Sequence, residues 1–148
     1  MARSPFNVLV IPYRLVDGVR EFAVLHRADS DMWQFVAGGG ENGEDPFRAA
    51  RRETEEEAGI TLPDHSWVLL DSVASVPRTA FLNAPWPDSV YVIPQHSFAV
   101  DTSGVELRLS REHDGFEWLS YEAAAKRLTW DSNRVALWEL CERLERAV

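Results

Sequence analysis

The sequence has few cysteines, few basic side chains and no long apolar runs. Its 148 residues include one cysteine, Cys141, which excludes an internal disulfide. Lys and Arg number 15 against 24 Asp and Glu, and this charge of −9 argues against a general nucleic-acid binder, because phosphate backbones are held mainly by clustered cations. Apolar runs such as residues 7–12 are far shorter than the roughly 20 residues that cross a bilayer, and nothing resembling a signal peptide precedes Phe6. We therefore expect a cytoplasmic protein.

The composition and patterning predict one folded domain spanning residues 1–148. The length and the 45% hydrophobic content are those of a chain with a single core. Residues 8–15 and 21–26 have the pattern of a hairpin that turns at Asp17-Gly18, and residues 67–76, 90–100 and 115–119 predict further strands. Strands and helices alternate without repeats or linkers. The prediction is an α/β or α+β fold in which helices flank a mixed sheet.

The glycine-rich segment before the first helix is predicted to be irregular. Four glycines lie within residues 38–44, and we expect them to form a flexible loop. Asp45 is a good N-cap, Pro46 suits the first helical position, and Gly59 suits the residue after the end. These signals predict a helix over residues 46–58.

Two further helices are predicted near the C-terminus. Ser120 is expected to cap a helix that runs to about residue 128, and Asp131 or Ser132 to cap the last one. Apolar side chains recur at three-residue spacing on this last helix, at Val135, Trp138, Cys141 and Leu144. This spacing predicts that Trp138 lies in the core.

Three carboxylates are predicted to share one face of the first helix. Glu53, Glu56 and Glu57 are at positions i, i+3 and i+4. Like charges at these spacings destabilise a helix by roughly 0.2–0.5 kcal/mol per pair, so a compensating cation is expected. Oxygen ligands without nearby Cys or His favour Mg²⁺ or Mn²⁺ over zinc. For the helix alone, the alternative interpretation is an ordinary solvated face.

The segment that contains this helix carries a longer spaced pattern. Its fixed positions are Gly38, Glu44, Arg52, Glu53, Glu56, Glu57 and Gly59, followed by Ile60. Seven such identities arise by chance at about one in 10⁸ per start position. The pattern resembles the signature of the Nudix hydrolase family. Thr54 departs from it, since the family usually has Ile, Leu or Val there, but its hydroxyl can bond back to the preceding turn.

The resemblance implies a sheet sandwiched between helices, with residues 38–60 as a loop-helix-loop. It also implies hydrolysis of a nucleoside diphosphate linked to another group, by attack of water on phosphorus with divalent ions, Mg²⁺ or Mn²⁺. By the same resemblance, Glu53, Glu56 and Glu57 are expected to bind metal and provide the base.

Four other positions of the pattern are expected to support the metal site. Glu44 and Arg52 would brace the loop and the helix by charge pairing, with Gly38 and Gly59 as the bounding glycines of the pattern. At Ala37 many members of the family have a glycine. If that position lends only its carbonyl to the metal, alanine can serve.

A narrower resemblance, to the dihydroneopterin triphosphate (dATP) pyrophosphohydrolases, covers most of the chain. The segments that carry it are residues 8–13, residues 31–36 with Trp33-Gln34, Glu112-His113, Trp118-Leu119, residues 123–125, and Trp130 with Ser132-Asn133-Arg134. It implies that Glu112 binds metal or acts as base, the alternative being an ordinary loop glutamate. It also implies cleavage of a nucleoside or pterin triphosphate to monophosphate and pyrophosphate.

Two alternative functions remain open at this point. The first is hydrolysis of another nucleoside diphosphate derivative: a dinucleotide polyphosphate, a nucleotide sugar or an oxidised nucleotide. The second is a non-catalytic module that senses a nucleotide, although such modules are expected to lose the carboxylates of the pattern. In each case the expected partner is a small anion and not a nucleic-acid polymer, and the oligomeric state stays open.

Candidate substrate-binding residues lie at strand ends and at the start of the last helix. Arg27 and Arg78 each end a predicted strand and are candidates to grip a polyphosphate, the alternative being surface arginines. Asn133 and Arg134 lie where backbone donors favour anions, the alternative being a structural cap. Among six tryptophans, three are candidates to line a pocket for a flat ring: Trp33, Trp86 and Trp130.

Overall fold

The computed structural model describes residues 3–147, which form seven β-strands and three α-helices. The strands are β1 (Arg3–Val16), β2 (Val19–Arg27), β3 (Trp33–Gln34), β4 (Val36–Glu41), β5 (Trp67–Pro77), β6 (Val92–Asp101) and β7 (His113–Leu119). The helices are α1 (Pro46–Ala58), α2 (Tyr121–Arg127) and α3 (Asp131–Arg146). Within this part of the chain, no helix has the length and apolarity needed to cross a membrane.

All seven strands belong to one mixed sheet. Its order is β3-β2-β1-β6-β5, with β4 added to β1 and β7 added to β2. The β1–β6 pair is parallel, and the other pairs are antiparallel. At the β1–β2 turn, Asp17 and Gly18 have φ of 51° and 79°, as a two-residue type I′ hairpin requires. The mixed sheet and the opening hairpin confirm the prediction.

Helices cover both faces of the sheet, because alternate residues of β1 point to opposite sides. Val8 and Val10 pack in a cluster with the buried alanines of α1, whereas Leu9 and Ile11 pack in a second cluster with α2 and α3. The sheet is therefore sandwiched between α1 on one face and α2 with α3 on the other. This architecture confirms the predicted fold class.

Only the second part of the glycine-rich segment, residues 42–44, is the predicted loop. Residues 36–41 form strand β4, which pairs with β1 so that Gly38 lies opposite Val8 and Gly39 opposite Asn7. The glycines leave room for side chains that cross the strand. A Cβ at Gly38 would lie 2.1 Å from the carboxyl carbon of Glu53, and one at Gly39 would lie 2.4 Å from Cζ of Arg3. For residues 38–41 the prediction was wrong, because pairing and close packing outweigh the low strand propensity of glycine.

Of the two C-terminal helices, the structure confirms the predicted cap of α2 and corrects that of α3. Ser120 caps α2 by accepting a hydrogen bond from the N–H of Ala123. For α3, however, the N-cap is Trp130 and not Asp131 or Ser132. Asp131 is instead the first helical residue, and its carboxylate binds Arg134.

The buried face of α3 also differs from the prediction. It consists of Asn133, Ala136, Leu137 and Leu140. Trp138 is 53% exposed and Val135 is 57% exposed. A step of three residues advances 300° around a helix, so a series at this spacing drifts by 60° per step and leaves the core face. The prediction that Trp138 lies in the core was wrong for this reason.

Candidate functional site

Helix α1 carries the predicted carboxylates, and its two ends are those expected from the sequence. Asp45 accepts a hydrogen bond from the N–H of Arg48 at 2.9 Å, and Pro46 is the first helical residue. Gly59 ends the helix with φ of 68° and donates its N–H to the carbonyl of Glu55 at 3.0 Å. Thr54 donates its buried hydroxyl to the carbonyl of Ala50 at 2.8 Å, which confirms the back-bond expected at this position.

The guanidinium of Arg52 ties α1 to the segment before it. It donates to Glu44 from Nε at 2.8 Å and from Nη2 at 3.0 Å, and Nη2 also donates to the carbonyl of Gly39 at 2.8 Å. Nη1 donates to Glu53 at 3.0 Å and to Glu56 at 3.2 Å. The pair with Glu44 raises the pKa of Arg52 and lowers the pKa of Glu44. The charge pairing expected of these two side chains is therefore present.

The three predicted carboxylates of α1 lie at three different depths. The side chain of Glu57 is 3% exposed, that of Glu53 14% and that of Glu56 56%. Burial raises the pKa of Glu57, and the neighbouring carboxyl of Glu53 raises it further. Burial also raises the pKa of Glu53. Glu53 and Glu57 thus form a close buried pair, whereas Glu56 turns outward to Arg52.

Both carboxylate oxygens of Glu57 lack a hydrogen-bond partner among residues 3–147. The imidazole of His113 lies beside it, with Nδ1 3.6 Å from Oε1 of Glu57. Burial lowers the pKa of His113, which favours its neutral form. A buried carboxylate without a partner is costly, and a divalent cation is the kind of group that compensates for it.

A cleft of about 750 Å³ opens beside this pair. Among its lining residues are six of the predicted site residues: Arg27, Ala37, Gly38, Glu53, Glu112 and Asn133. Glu112 is close enough to Glu57 for its charge to raise the pKa of that carboxyl. The guanidinium of Arg27 is held by both carboxylate oxygens of Asp29, each at 2.9 Å. The cleft therefore brings together two carboxylates of the predicted set and one arginine.

The donor chemistry of this region fits a hard divalent cation. Glu53, Glu57 and Glu112 offer only oxygen atoms, and the orphaned carboxylate of Glu57 is the observation that favours a metal. Across the described residues 3–147, no three carboxylate, imidazole or thiol side chains are grouped as a set of metal ligands. Glu56 is drawn away by Arg52, so the predicted convergence of three carboxylates from α1 is not seen.

The structure places three predicted substrate-binding residues outside the cleft. Arg78 donates to the carbonyls of four residues in the following loop, Ala84, Trp86, Pro87 and Val90. Arg134 binds Asp131 and the carbonyl of Leu128, and thereby joins α2 to α3. The ring of Trp33 packs against His26 and beneath the guanidinium of Arg127, each at 4.7 Å. Each of these three side chains is already engaged by neighbouring groups of the protein, and none of them is available to bind substrate.

Of the other tryptophans considered for a pocket, Trp130 lines the cleft and Trp86 does not. Trp130 donates its indole N–H to Gln34 at 3.4 Å. Trp86 is 7% exposed and donates its indole N–H to the carbonyl of Arg3 at 2.9 Å. Trp86 therefore anchors the start of β1.

Sequence reasoning missed four polar side chains that line the cleft: Arg3, Asn7, Gln34 and Gln95. Asn7, Gln34 and Gln95 are each buried to more than nine-tenths. A signal was present for Asn7, because the next residues on its face of β1, Leu9 and Ile11, are apolar and buried. These polar side chains mark the floor of the cleft.

Comparison with known proteins identifies the family to which this fold belongs. The NUDIX domain model matches residues 7–138. A solved structure from Listeria monocytogenes assigned to the NUDIX hydrolases is 44% identical, with a TM-score of 0.87 and 97% of each chain covered. The Escherichia coli dihydroneopterin triphosphate pyrophosphohydrolase is 27% identical, with a TM-score of 0.73, over 93% of this chain and 94% of that chain. An octanoyltransferase from Myxococcus xanthus is 38% identical over 105 residues, which is 70% of this chain but spans only 27% of that relative.

Proposed function

The chain belongs to the Nudix hydrolase family, and we propose that it cleaves a nucleoside or pterin triphosphate to the monophosphate and pyrophosphate. The observation that carries the proposal is Glu57, whose buried carboxylate has no hydrogen-bond partner among residues 3–147 and lies beside a cleft lined by Glu53 and Glu112. Carboxylates repel an anionic substrate, so this cluster can bind one only when a cation lies between the carboxylates and the substrate.

The residues that would hold Mg²⁺ or Mn²⁺ are Glu53, Glu57 and Glu112, with the carbonyl of Ala37 as a further oxygen donor; Glu56, which the sequence also offered, is held away from them by Arg52. When bound, the metal neutralises phosphate oxygens and lowers the pKa of a water molecule. Arg52 holds the carboxylate of Glu53 in place by a 3.0 Å hydrogen bond. Glu53 and Glu112 are the two carboxylates of this set that line the cleft, so one of them accepts the proton of the attacking water.

The cationic side chain that faces the polyphosphate is Arg27. It lines the cleft with Glu53 and Glu112, and Asp29 fixes the plane of its guanidinium. A planar guanidinium matches the geometry of phosphate oxygens and stabilises negative charge on them. Asn133 lines the same cleft, and its side-chain oxygen accepts from the N–H of Phe35 at 2.9 Å. Its nitrogen donates to the hydroxyl of Ser132 at 3.3 Å, so both ends of the Asn133 amide are occupied and its role is to anchor the start of α3 beside the cleft.

The choice of a triphosphate is supported by the likeness to the Escherichia coli dihydroneopterin triphosphate pyrophosphohydrolase, which covers 93% of this chain. A cleft of about 750 Å³ with an aromatic wall at Trp130 also suits one nucleotide-sized molecule. The proposal includes a cytoplasmic location and a small-molecule partner, in keeping with 24 acidic against 15 basic side chains.

The test is product identification by phosphorus NMR. The protein is incubated with dATP, GTP and dihydroneopterin triphosphate, with and without Mg²⁺, beside ADP-ribose and a dinucleotide polyphosphate. We expect pyrophosphate and a monophosphate, formed only with metal. Orthophosphate with a diphosphate product, cleavage confined to ADP-ribose or the dinucleotide, or tight binding without turnover would contradict the proposal.

A further inference from the structure

Three side chains form a hydrogen-bonded row across the floor of the cleft. Arg3 donates from Nη2 to Oδ1 of Asn7 at 3.1 Å, and Asn7 donates from Nδ2 to Oε1 of Gln95 at 2.7 Å. Asn7 and Gln95 are each 7% exposed, and all three side chains line the cleft. We call this arrangement the amide row.

Arg3 determines which way both amides point. A guanidinium only donates hydrogen bonds, so Asn7 must turn its oxygen toward Arg3 and its nitrogen toward Gln95. Gln95 must then turn its oxygen toward Asn7, which leaves its Nε2 free to face the cleft. Within residues 3–147, Nε2 of Gln95 has no acceptor. The floor of the cleft therefore presents N–H donors.

The orientation of Arg3 is itself fixed by its surroundings. Its guanidinium lies 4.5 Å from the centre of the Phe81 ring and 5.8 Å from the centre of the Trp86 ring. Its own carbonyl accepts the indole N–H of Trp86 at 2.9 Å. The missing side chain of Gly39 gives it room, as described above. The start of the row is thus held from several directions.

Two small residues, Gly39 and Ala74, lie beside the amides in the sheet. Asn7 lies opposite Gln95 on one side and opposite Gly39 on the other, and Gln95 lies opposite Ala74. Paired residues of neighbouring strands project from the same face of a sheet, so the two amides are bordered by a glycine and an alanine. Phe81 and Trp130 also line the cleft. The result is a polar floor flanked by aromatic side chains, which suits the edge of a flat heterocycle.

We propose that the amide row binds the ring of the substrate by donating from Nε2 of Gln95 to a ring carbonyl, and so selects oxo-purine or oxo-pterin triphosphates over adenine triphosphates. The inference rests on the proposed function, whose substrate it narrows. The 6-oxo group and N7 of guanine are both acceptors, whereas adenine places the donor N6–H₂ at the equivalent position. Two donors facing each other in a cleft leave both unsatisfied, which disfavours adenine.

The experiment measures binding separately from hydrolysis. Calorimetry with GMP, IMP and AMP uses probes that contain no anhydride bond. The wild-type protein is expected to bind GMP and IMP about tenfold more tightly than AMP. Similar affinities for GMP and IMP are expected, because the preference is assigned to the 6-oxo group that they share.

Two variants test the direction of the row. Gln95→Glu keeps an acceptor for Asn7 but replaces the free donors by an acceptor, so the preference should reverse toward AMP. Asn7→Asp leaves Gln95 in place, but its carboxylate accepts from both Arg3 and Gln95, so Gln95 must turn its oxygen toward the cleft. It should reverse the preference as well, which a merely structural role for Asn7 does not predict.

The matched control is Gln34→Glu, which adds the same charge to the same cleft but outside the amide row. The variant keeps an acceptor for the indole N–H of Trp130, and it should weaken the binding of GMP and of AMP by the same factor. Equal affinities for GMP and AMP in the wild-type protein, or a ratio that neither row variant shifts relative to Gln34→Glu, would overturn the inference. Thermal melting identifies a variant that fails to fold. If either Gln95→Glu or Asn7→Asp does so, the other of the two tests the inference. Selective binding without turnover of any triphosphate would refute the proposed function and leave the inference standing.

Discussion

Arg52 and Glu44 meet in a two-point hydrogen bond, with Nε to Oε2 at 2.8 Å and Nη2 to Oε1 at 3.0 Å. The same guanidinium reaches the carbonyl of Gly39 and the carboxylate of Glu53. One side chain of α1 therefore fixes the loop before the helix, the strand before that loop and a proposed metal ligand. Its planar fork is essential to this role, because a lysine ammonium cannot reach these acceptors in the same plane.

Arg52→Lys is expected to destabilise the protein by about 1–3 kcal/mol, since hydrogen bonds between charged groups at a largely buried position are lost. Urea unfolding measures the change in the free energy of unfolding. Arg51→Lys is the matched control, because Arg51 pairs with Asp64 at the surface and such pairs contribute about 0–1 kcal/mol. Equal losses in the two variants would show that the network around Arg52 contributes little.

Gly38→Ala is expected to reduce turnover without unfolding the protein. The new Cβ would lie 2.1 Å from the carboxyl carbon of Glu53, at the movable end of that side chain, so Glu53 must shift. A displacement of about 1 Å in a reacting group can cost about 10²-fold in rate. Gly115→Ala is the control, because a Cβ there meets nothing within 4 Å. A normal rate for Gly38→Ala would show that turnover does not depend on where the carboxyl of Glu53 lies.

Glu53→Gln and Glu57→Gln are each expected to lower metal-dependent turnover by about 10²-fold or more, by analogy with the loss of other charge-stabilising groups in active sites. Glu57→Gln should fold normally, because a neutral amide replaces a carboxyl whose pKa is raised by burial. Saturating Mg²⁺ should stabilise the wild-type protein by about 2.7 kcal/mol at 100 times Kd, and Glu57→Gln much less. Glu55→Gln, on the exposed side of α1, is the control. Wild-type rates in both Glu53 and Glu57 variants would exclude α1 from catalysis.

Glu139→Gln is expected to show a pH-dependent loss of stability. Burial alone would raise the pKa of Glu139, but the N–H groups of Asp71 and Ser72, the hydroxyl of Ser72 and the guanidinium of Arg143 lower it to about 2. A lowered pKa in the folded state stabilises the protein above the unfolded pKa of the carboxyl, and this contribution is lost as the pH falls toward 2. Thermal unfolding should therefore show the largest gap between wild type and Glu139→Gln above pH 5, closing toward pH 2. A gap independent of pH would contradict this.

Truncation of the two neighbours Leu137 and Trp138 on α3 is expected to cost very different amounts of stability. Leu137 is fully buried, so Leu137→Ala should cost about 2–5 kcal/mol. Trp138 is 53% exposed, and Trp138→Ala should cost much less despite the larger side chain. Denaturant unfolding of the two variants gives the comparison. A greater loss of stability for Trp138→Ala than for Leu137→Ala would instead support the prediction from the sequence that Trp138 lies in the core.

Sequence predicted the elements whose signals are local. The bounds of α1 follow from Asp45 at one end and Gly59 at the other, and both caps are formed by residues within four positions. Strand β4 lacks such signals, because its formation depends on pairing with β1. Its glycines are explained by Glu53 and Arg3, which are distant in the sequence. A pattern of glycines that predicts flexibility in isolation therefore indicates close packing in this fold.

In the candidate site, too, the sequence predicts what depends on local spacing but not what depends on contacts with distant residues. The spacing of Glu53, Glu56 and Glu57 places them near one another, but their depth depends on what lies across from each one. Glu57 faces buried His113 of β7, whereas Glu56 is held at the surface by Arg52. Similarly, Arg78 directly follows the last residue of β5, but its side chain turns into the next loop, which presents several carbonyls to it. Neither outcome can be read from spacing alone.

The amide row also has a consequence for how the protein folds. Asn7 and Gln95 are separated by 88 residues, and they meet only through the parallel pairing of β1 with β6. Long-range pairing of this kind is slow, because the chain loses loop entropy before the contact stabilises it. During synthesis the first half of the chain can complete its hairpin, but the amide row has to wait for β6. If the row binds the ring of a nucleotide as proposed, that binding is expected only once both halves of the chain have assembled.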